Sequence, residues 1–378
     1  MKLFNFDHGL SNPSVLEIGP YRINVSDAHC QNLAFLPRRS SKTFTLDDSF
    51  SRVVVDTSRS RGEFAETATV TCHAAAASLL FPDTPGTTQD YDLVLLLSFL
   101  TGRRVYVEGD LDWDPRRDYA GRVIAPEDLK RLPNDVWERL ASMSQRGLSD
   151  SLNCIVNAAL APDLIGRGAY ANAAFDTVCT VWAKEENKTK YDDRPILERA
   201  SKRIVDQIDN ALLNKAKSLI LNVFPVEGVK NEIAQDIWAR FRVAAAPSAT
   251  LKMTWFLQAF GLFPSTPTPD QEMRLKRLNT VRNGIAHGGA IRTDKSLGPE
   301  VSLRVAGAVV LITQQIVEFY LAREVLGILS YDLEMHRKGI ADFFESGLFR
   351  GQLVFSESYG EYLDRLEQQW VTNGVMGR

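Results

Sequence analysis

The hydrophobic period of this chain changes near residue 133, and that change sets the fold class. Before it, apolar residues come in short alternating runs. "YRINV" at 21–25 and "SRVVVDT" at 51–57 combine β-branched residues with a period of two, and Ser, Asn, Pro and Gly separate the runs. Both predict strands, as does "RRVYVEG" at 103–109. "TQDYDLVLLLSFLT", from Thr88 to Thr101, predicts a buried helix capped by Thr87 or Thr88 and stopped at Gly102. After residue 133 the apolar residues recur every three or four positions. The expected class is therefore α+β: a mixed, β-rich N-terminal domain over 1–130, then a mainly α-helical domain over 133–378.

Within the helical part, "DRPILERASKRIVDQIDNALLNKAKSLILNVF" predicts a long amphipathic helix with Asp193 as cap and Ile204, Ile208, Ala211 and Leu212 on one stripe. "NEIAQDIWARFRVAA" and "LKMTWFLQAFGLF" predict two more, the second ending near Gly261. "STPTPD" then supplies Thr268 as N-cap, Pro269 at the first helical position and Gln271 three residues after the cap, a capping box. The segment from Pro299 to about Leu329 predicts one helix through the middle of a bundle, because its first half is apolar on every side. Helices around Met335 to Phe344 and Tyr359 to Trp370 follow.

A net charge of −3 excludes a globally basic nucleic-acid binder, so phosphate contacts must come from a local patch. Cys30, Cys72, Cys154 and Cys179 have no C-x-x-C spacing and form no disulfide framework, so a reducing cytoplasm is expected. Asp7 and His8 stand where a secretion signal needs an apolar run. The most apolar stretch, "VAGAVVLI" at 305–312, is far shorter than the roughly 20 residues that span a bilayer, so no membrane contact is expected.

The stretch that carries chemistry is "RLNTVRNGIAHGG", residues 277–289. Leu275, Leu278, Val281 and Ile285 form the buried stripe of its helix, and Arg282 lies at the edge of that stripe. Arg274, Lys276 and Arg277 make the helix locally basic, with Asp270 and Glu272 confined to its first turn, a placement that also suits the helix dipole. His287 follows Arg282 by five residues, about 140° around an ideal helix and roughly 7.5 Å along it. Two glycines after His287 predict a helix end. There the dipole favours the imidazolium and prepares it for proton transfer near neutral pH. An arginine is the side chain best suited to grip a phosphate with two donors. The alternative from spacing alone is a histidine C-cap beside an arginine that extends its stem over apolar surface.

Arg282, Asn283, three further residues and His287, at the end of a helix, resemble the signature of the HEPN superfamily. The resemblance covers about residues 150–345. It implies a HEPN-like helical bundle and metal-independent RNA cleavage, with no cofactor, at a cleft formed when two such domains dimerise. On that reading Arg282 polarises the scissile phosphate and His287 serves as general acid or base for attack by the ribose 2′-hydroxyl. Asn283 orients the histidine or bonds the phosphate, and Arg274, Lys276, Arg277 and Arg292 hold the RNA backbone. The N-terminal domain resembles the variable domains that precede HEPN domains in some prokaryotic defence proteins, which implies a regulated toxin or anti-phage effector with a regulatory protein or phage-derived trigger. Two other readings compete: a HEPN-like module that binds RNA, nucleotide or protein without cutting, and a purely structural helix end.

Other constellations carry less. Asp110, Asp112 and Asp114 alternate in a loop that lacks the glycine and distal glutamate of a calcium site. His29–Cys30 and Cys72–His73 predict buried cysteines with partnered histidines, "LIGRGAY" at 164–170 predicts a turn, and His336 is expected on an exposed helix face.

Overall fold

Alternation in the first residues builds an antiparallel sheet. The computed structural model describes residues 1–36, 42–46, 51–55, 65–72, 76–109, 122–161, 163–188, 248–288, 298–349 and 352–355. Strands β1 (Lys2–Phe4), β2 (Ser14–Ile18) and β3 (Tyr21–Val25) precede a short helix, α1 (Asp27–Asn32). A separate hairpin pairs β4 (Lys42–Leu46) with β5 (Ser51–Val55). With β6 (Glu66–Cys72) and β7 (Tyr106–Val107), the main sheet runs β2-β3-β6-β1-β7, every pairing antiparallel. Tyr21, Ile23 and Val25 point into the core while Arg22 faces out, the period-two pattern of a half-buried strand.

Helix α2 (Gln89–Thr101) is buried along most of its length and stops at Gly102, whose φ of 64° is the left-handed conformation favoured after a helix. Of "RRVYVEG" the strand β7 covers only Tyr106 and Val107. Helices α3 (Val136–Arg146), α4 (Ser149–Leu160) and α5 (Leu164–Glu185) follow, then α6 (Ala249–Ala259), α7 (Pro269–Gly288), α8 (Gly298–Phe319) and α9 (Tyr331–Ser346). A small hairpin of β8 (Leu348–Phe349) and β9 (Gln352–Leu353) comes after α9. The molecule is thus α+β, an N-terminal sheet followed by helices. The helices expected over 193–224, 231–245 and 359–370 lie outside the described residues.

Contacts divide the chain into a unit of Met1–Val178 with Gly261–Arg378 and a second of Cys179–Phe260. In the first, α8 packs against α4, α7 and α9, and α2 packs against α4. The sheet belongs to this same unit: Tyr21 meets Trp137 of α3 edge-on at 5.3 Å, and the backbone of Gly19, in the β2–β3 turn, lies under the Trp137 ring. In the second unit, Trp182 packs edge-on against Phe256 and Phe260.

Two sequence expectations change here. "LIGRGAY" opens α5 and is helical, not a turn. Its Gly168 serves packing: a Cβ there would lie 2.9 Å from Ile285 and 3.1 Å from Val310, so the missing side chain lets α5 approach α7 and α8. The helix expected through 299–329 is α-helical only to Phe319 and then π-helical over Tyr320–Val325. By length and apolarity the stretch Val301–Val325 could cross a membrane, but 89% of its apolar window is buried against the protein's own side chains.

Candidate functional site

Helix α7 starts as its sequence dictates. The Thr268 amide donates to Gln271 Oε1 (2.8 Å) and the Gln271 amide to Thr268 Oγ1 (3.4 Å), the reciprocal pair of a capping box. Leu275, Leu278 and Ile285 are buried and Val281 is half-buried, as the stripe requires. Ile285 joins Leu164 of α5 and Ala306 and Val310 of α8 in one apolar cluster, with Val281 and Leu303 packed on it.

The same contact draws Arg282 inwards. It is 5% exposed, and Asn172, Phe175 and Asp176 of α5 all contact it. Its Nε donates to Asn172 Oδ1 at 3.1 Å, while Asn172 Nδ2 donates back to the Arg282 carbonyl, also at 3.1 Å. The guanidinium lies 4.3 Å above the centre of the Phe175 ring, within cation–π range. One terminal nitrogen donates to Asp176 Oδ1 at 2.5 Å. Asn172, Phe175 and Asp176 stand at i, i+3 and i+4, one face of α5.

These partners differ in burial. Asn172 and Phe175 are buried, whereas the Asp176 side chain is 65% exposed. The arginine is thus oriented from below by fixed groups and charge-paired from the solvent side. An uncompensated buried guanidinium would be costly, and a solvated carboxylate offsets that charge with little desolvation of its own. Chemically, the arrangement turns an oriented donor edge towards an anionic partner, here the Asp176 carboxylate.

The remaining expected site residues are placed as follows. Asn283 is exposed on α7, one residue from Arg282. His287 lies in the last turn of α7, with its side chain outside the described part. Lys276 is exposed. Arg274 is engaged elsewhere: it donates to the Phe344 carbonyl (2.8 Å) and the Glu345 carbonyl (2.9 Å), the open end of α9, where a cation complements the dipole. The Arg277 guanidinium sits 5.3 Å from the Phe355 ring centre. Arg292, and with it Asp110, Asp112 and Asp114, falls outside the described residues.

Sequence reasoning missed Asn172, Phe175 and Asp176. It also missed a second buried polar chain: Arg167 Nε donates to Gln314 Oε1 (2.7 Å), and Gln314 Nε2 to Glu318 Oε1 (2.5 Å). The i, i+3, i+4 spacing on α5 is visible once that segment is taken as a helix, but nothing local marks Arg282 as its partner. His29 is a structural residue, accepting from the Ser26 amide and facing Glu66 at 3.2 Å. Cys30 beside it is half-buried and Cys72 is exposed, so neither is the core cysteine expected, and His73 lies outside the described residues. His336 is half-buried rather than exposed, its Nδ1 screened from solvent. Among the described residues no three His, Cys, Asp or Glu side chains converge as a metal site. Comparison with protein-family models, curated proteins and solved structures yields no match to the chain.

Proposed function

We propose that the chain is a HEPN-type endoribonuclease that cleaves RNA without a metal, using Arg282 and His287. The observation that carries this reading is the motif arginine, in the closing turns of a helix, with its guanidinium oriented by a buried amide and a buried aromatic ring. Such an arginine is prepared to bind a phosphate and stabilise charge that develops on it, because its orientation is fixed before the ligand arrives. The 2′-oxygen bonds to phosphorus as the P–O5′ bond breaks, giving a 2′,3′-cyclic phosphate and a 5′-hydroxyl; His287 takes the proton of the 2′-hydroxyl or gives one to the departing 5′-oxygen. Asn283, exposed beside the arginine, bonds the phosphate or the histidine.

The site works as a homodimer or larger assembly, in which two copies bring their motifs to one cleft. Its setting is the cytoplasm and its role a defence or toxin effector, released by a regulatory protein or a phage-derived trigger. Incubating the protein in EDTA with an RNA and a DNA of the same sequence tests the chemistry. The RNA should be cut and the DNA left whole; equal cutting of both would refute 2′-hydroxyl attack.

One observation favours a second reading. Arg282 is buried and already charge-paired, which suits a HEPN-like module that binds RNA, nucleotide or protein without cleaving. In that case RNA binds, stays whole, and the bound complex is the functional state.

A further inference from the structure

The β2–β3 turn and the start of α3 enclose a cleft of about 500 Å³, within the roughly 300–1,000 Å³ range of small-molecule sites. It shares no residue with the Arg282 site on α5 and α7. Pro20, Leu132 and Pro133 form half-buried apolar walls, and two exposed carboxylates flank them, Glu17 from β2 and Glu138 from α3. Trp137 also lines the cleft, although it is only 7% exposed.

Neither Glu17 nor Glu138 has an ion-pair or hydrogen-bond partner among the described residues. The cations near them are engaged or unused. Arg131 pairs with Asp128 at 3.6 Å and Arg139 with Asp135 at 2.7 Å, while Arg22, opposite Glu17 in the β2–β3 ladder, forms no ion pair among the described residues. Trp137 adds an independent observation. Its indole N–H has no hydrogen-bond partner among the described residues, yet it is not one of the buried atoms closed to solvent. Buried tryptophans ordinarily bond that N–H, so here it is a spare donor. The cleft thus asks for a positive charge, an apolar stem and an acceptor oxygen in one molecule. The positive end of the α3 dipole opposes a cation with roughly half a charge, which the two carboxylates outweigh.

We propose that this cleft binds a small organic cation: an alkylammonium or alkylguanidinium that carries an acceptor oxygen on an apolar stem. The charge lies between Glu17 and Glu138, the stem runs along the two prolines, and the oxygen accepts from the Trp137 N–H. Trp137 also meets Tyr21 edge-on at 5.3 Å and the Gly19 backbone, so an occupant braces the sheet against α3.

The full chain is titrated calorimetrically with Nα-acetyl-lysinamide, Nα-acetyl-argininamide and the neutral analogue Nα-acetyl-norleucinamide. At least one cation should bind saturably with a Kd of about 1 mM or below, and the neutral analogue about tenfold more weakly or not at all. The Glu17→Gln/Glu138→Gln double variant changes only exposed side chains and should lose about tenfold in affinity for the cation. Glu272→Gln, which removes an exposed carboxylate on α7, should lose none. No saturable binding of either cation, equal binding of the neutral analogue, or undiminished binding in the double variant would overturn the proposal. So would an equal loss in Glu272→Gln, which would reveal general attraction to an acidic protein. Each outcome holds whether or not the chain cleaves RNA, because the cleft and the motif helix have no residue in common.

Discussion

Arg282 lies where an arginine can persist only with partners, and each partner has a measurable effect. Replacing Asn172 by Ala removes a donor and an acceptor from a buried site and takes from the arginine Nε its bond to Asn172 Oδ1. The expected loss is about 1–3 kcal/mol of stability, read as a lower urea midpoint at unchanged slope. A midpoint equal to wild type would mean that the reciprocal pair contributes nothing. His8 offers a second test at this scale. Burial holds its pKa down to about 4, and its Nδ1 accepts from the Leu10 amide at 3.1 Å, a bond that needs the neutral ring. Because the folded pKa lies below the unfolded value of about 6.5, the unfolded chain binds the extra proton between the two. The stability from His8 is complete above about pH 6.5 and is lost as pH falls towards 4, on the order of 3 kcal/mol in all. His8→Gln should flatten that part of the stability–pH curve; an unchanged slope would refute a neutral buried His8. What the sequence could disclose at this scale was local. Thr268 and Gln271 are three residues apart and their bonds were legible. The partners of Arg282 lie 106 and 110 positions upstream, and no local pattern connects them.

Between elements, the decisive contact is the close approach of α5 to α7 and α8. Helix propensity alone says that Gly168→Ala should stabilise α5 by about 1 kcal/mol. The added methyl would lie 2.9 Å and 3.2 Å from two atoms of Ile285 and 3.1 Å from Val310, in a packed core where overpacking costs about 1–3 kcal/mol. Packing should win, so the expected outcome is a net loss of stability. A rise in the denaturation midpoint would show that the helices have room to part. The same contact explains why "LIGRGAY" was misread. Two glycines around an arginine are a turn signal when only neighbours in sequence are considered, whereas here Gly168 is selected by helices more than a hundred residues away, and Arg167 is buried against Gln314. The capping box and apolar stripe of α7 and the left-handed stop of α2 depend on their own residues and were legible in advance.

Over the whole molecule, the sheet and the helices around α3 share one unit, and one contact at their junction can be tested. Gly19 has a φ of 54°, and a Cβ there would come within 2.2 Å of the Trp137 ring. Gly19→Ala therefore adds backbone strain to a direct clash. It should destabilise by about 2 kcal/mol or more, with a shift in tryptophan emission as Trp137 is displaced. Retained stability and an unshifted spectrum would mean that the turn does not hold the sheet to α3. The α+β class was legible because hydrophobic period is a property of the chain itself, but the sheet meets the helices through contacts such as Gly19 with Trp137 and Tyr21 with Asp90, which period does not record.

We propose that Arg282 and His287 cleave RNA without a metal. It is tested most directly by incubating end-labelled RNA in EDTA with wild type and with Arg282→Ala and His287→Ala variants matched to it in fold and oligomeric state. Wild type should cleave, with products ending in 2′,3′-cyclic phosphate, and His287→Ala should cleave about a hundredfold more slowly or worse, as loss of a general acid–base group entails. Equal cleavage by all three proteins, or 3′-hydroxyl ends, would contradict it.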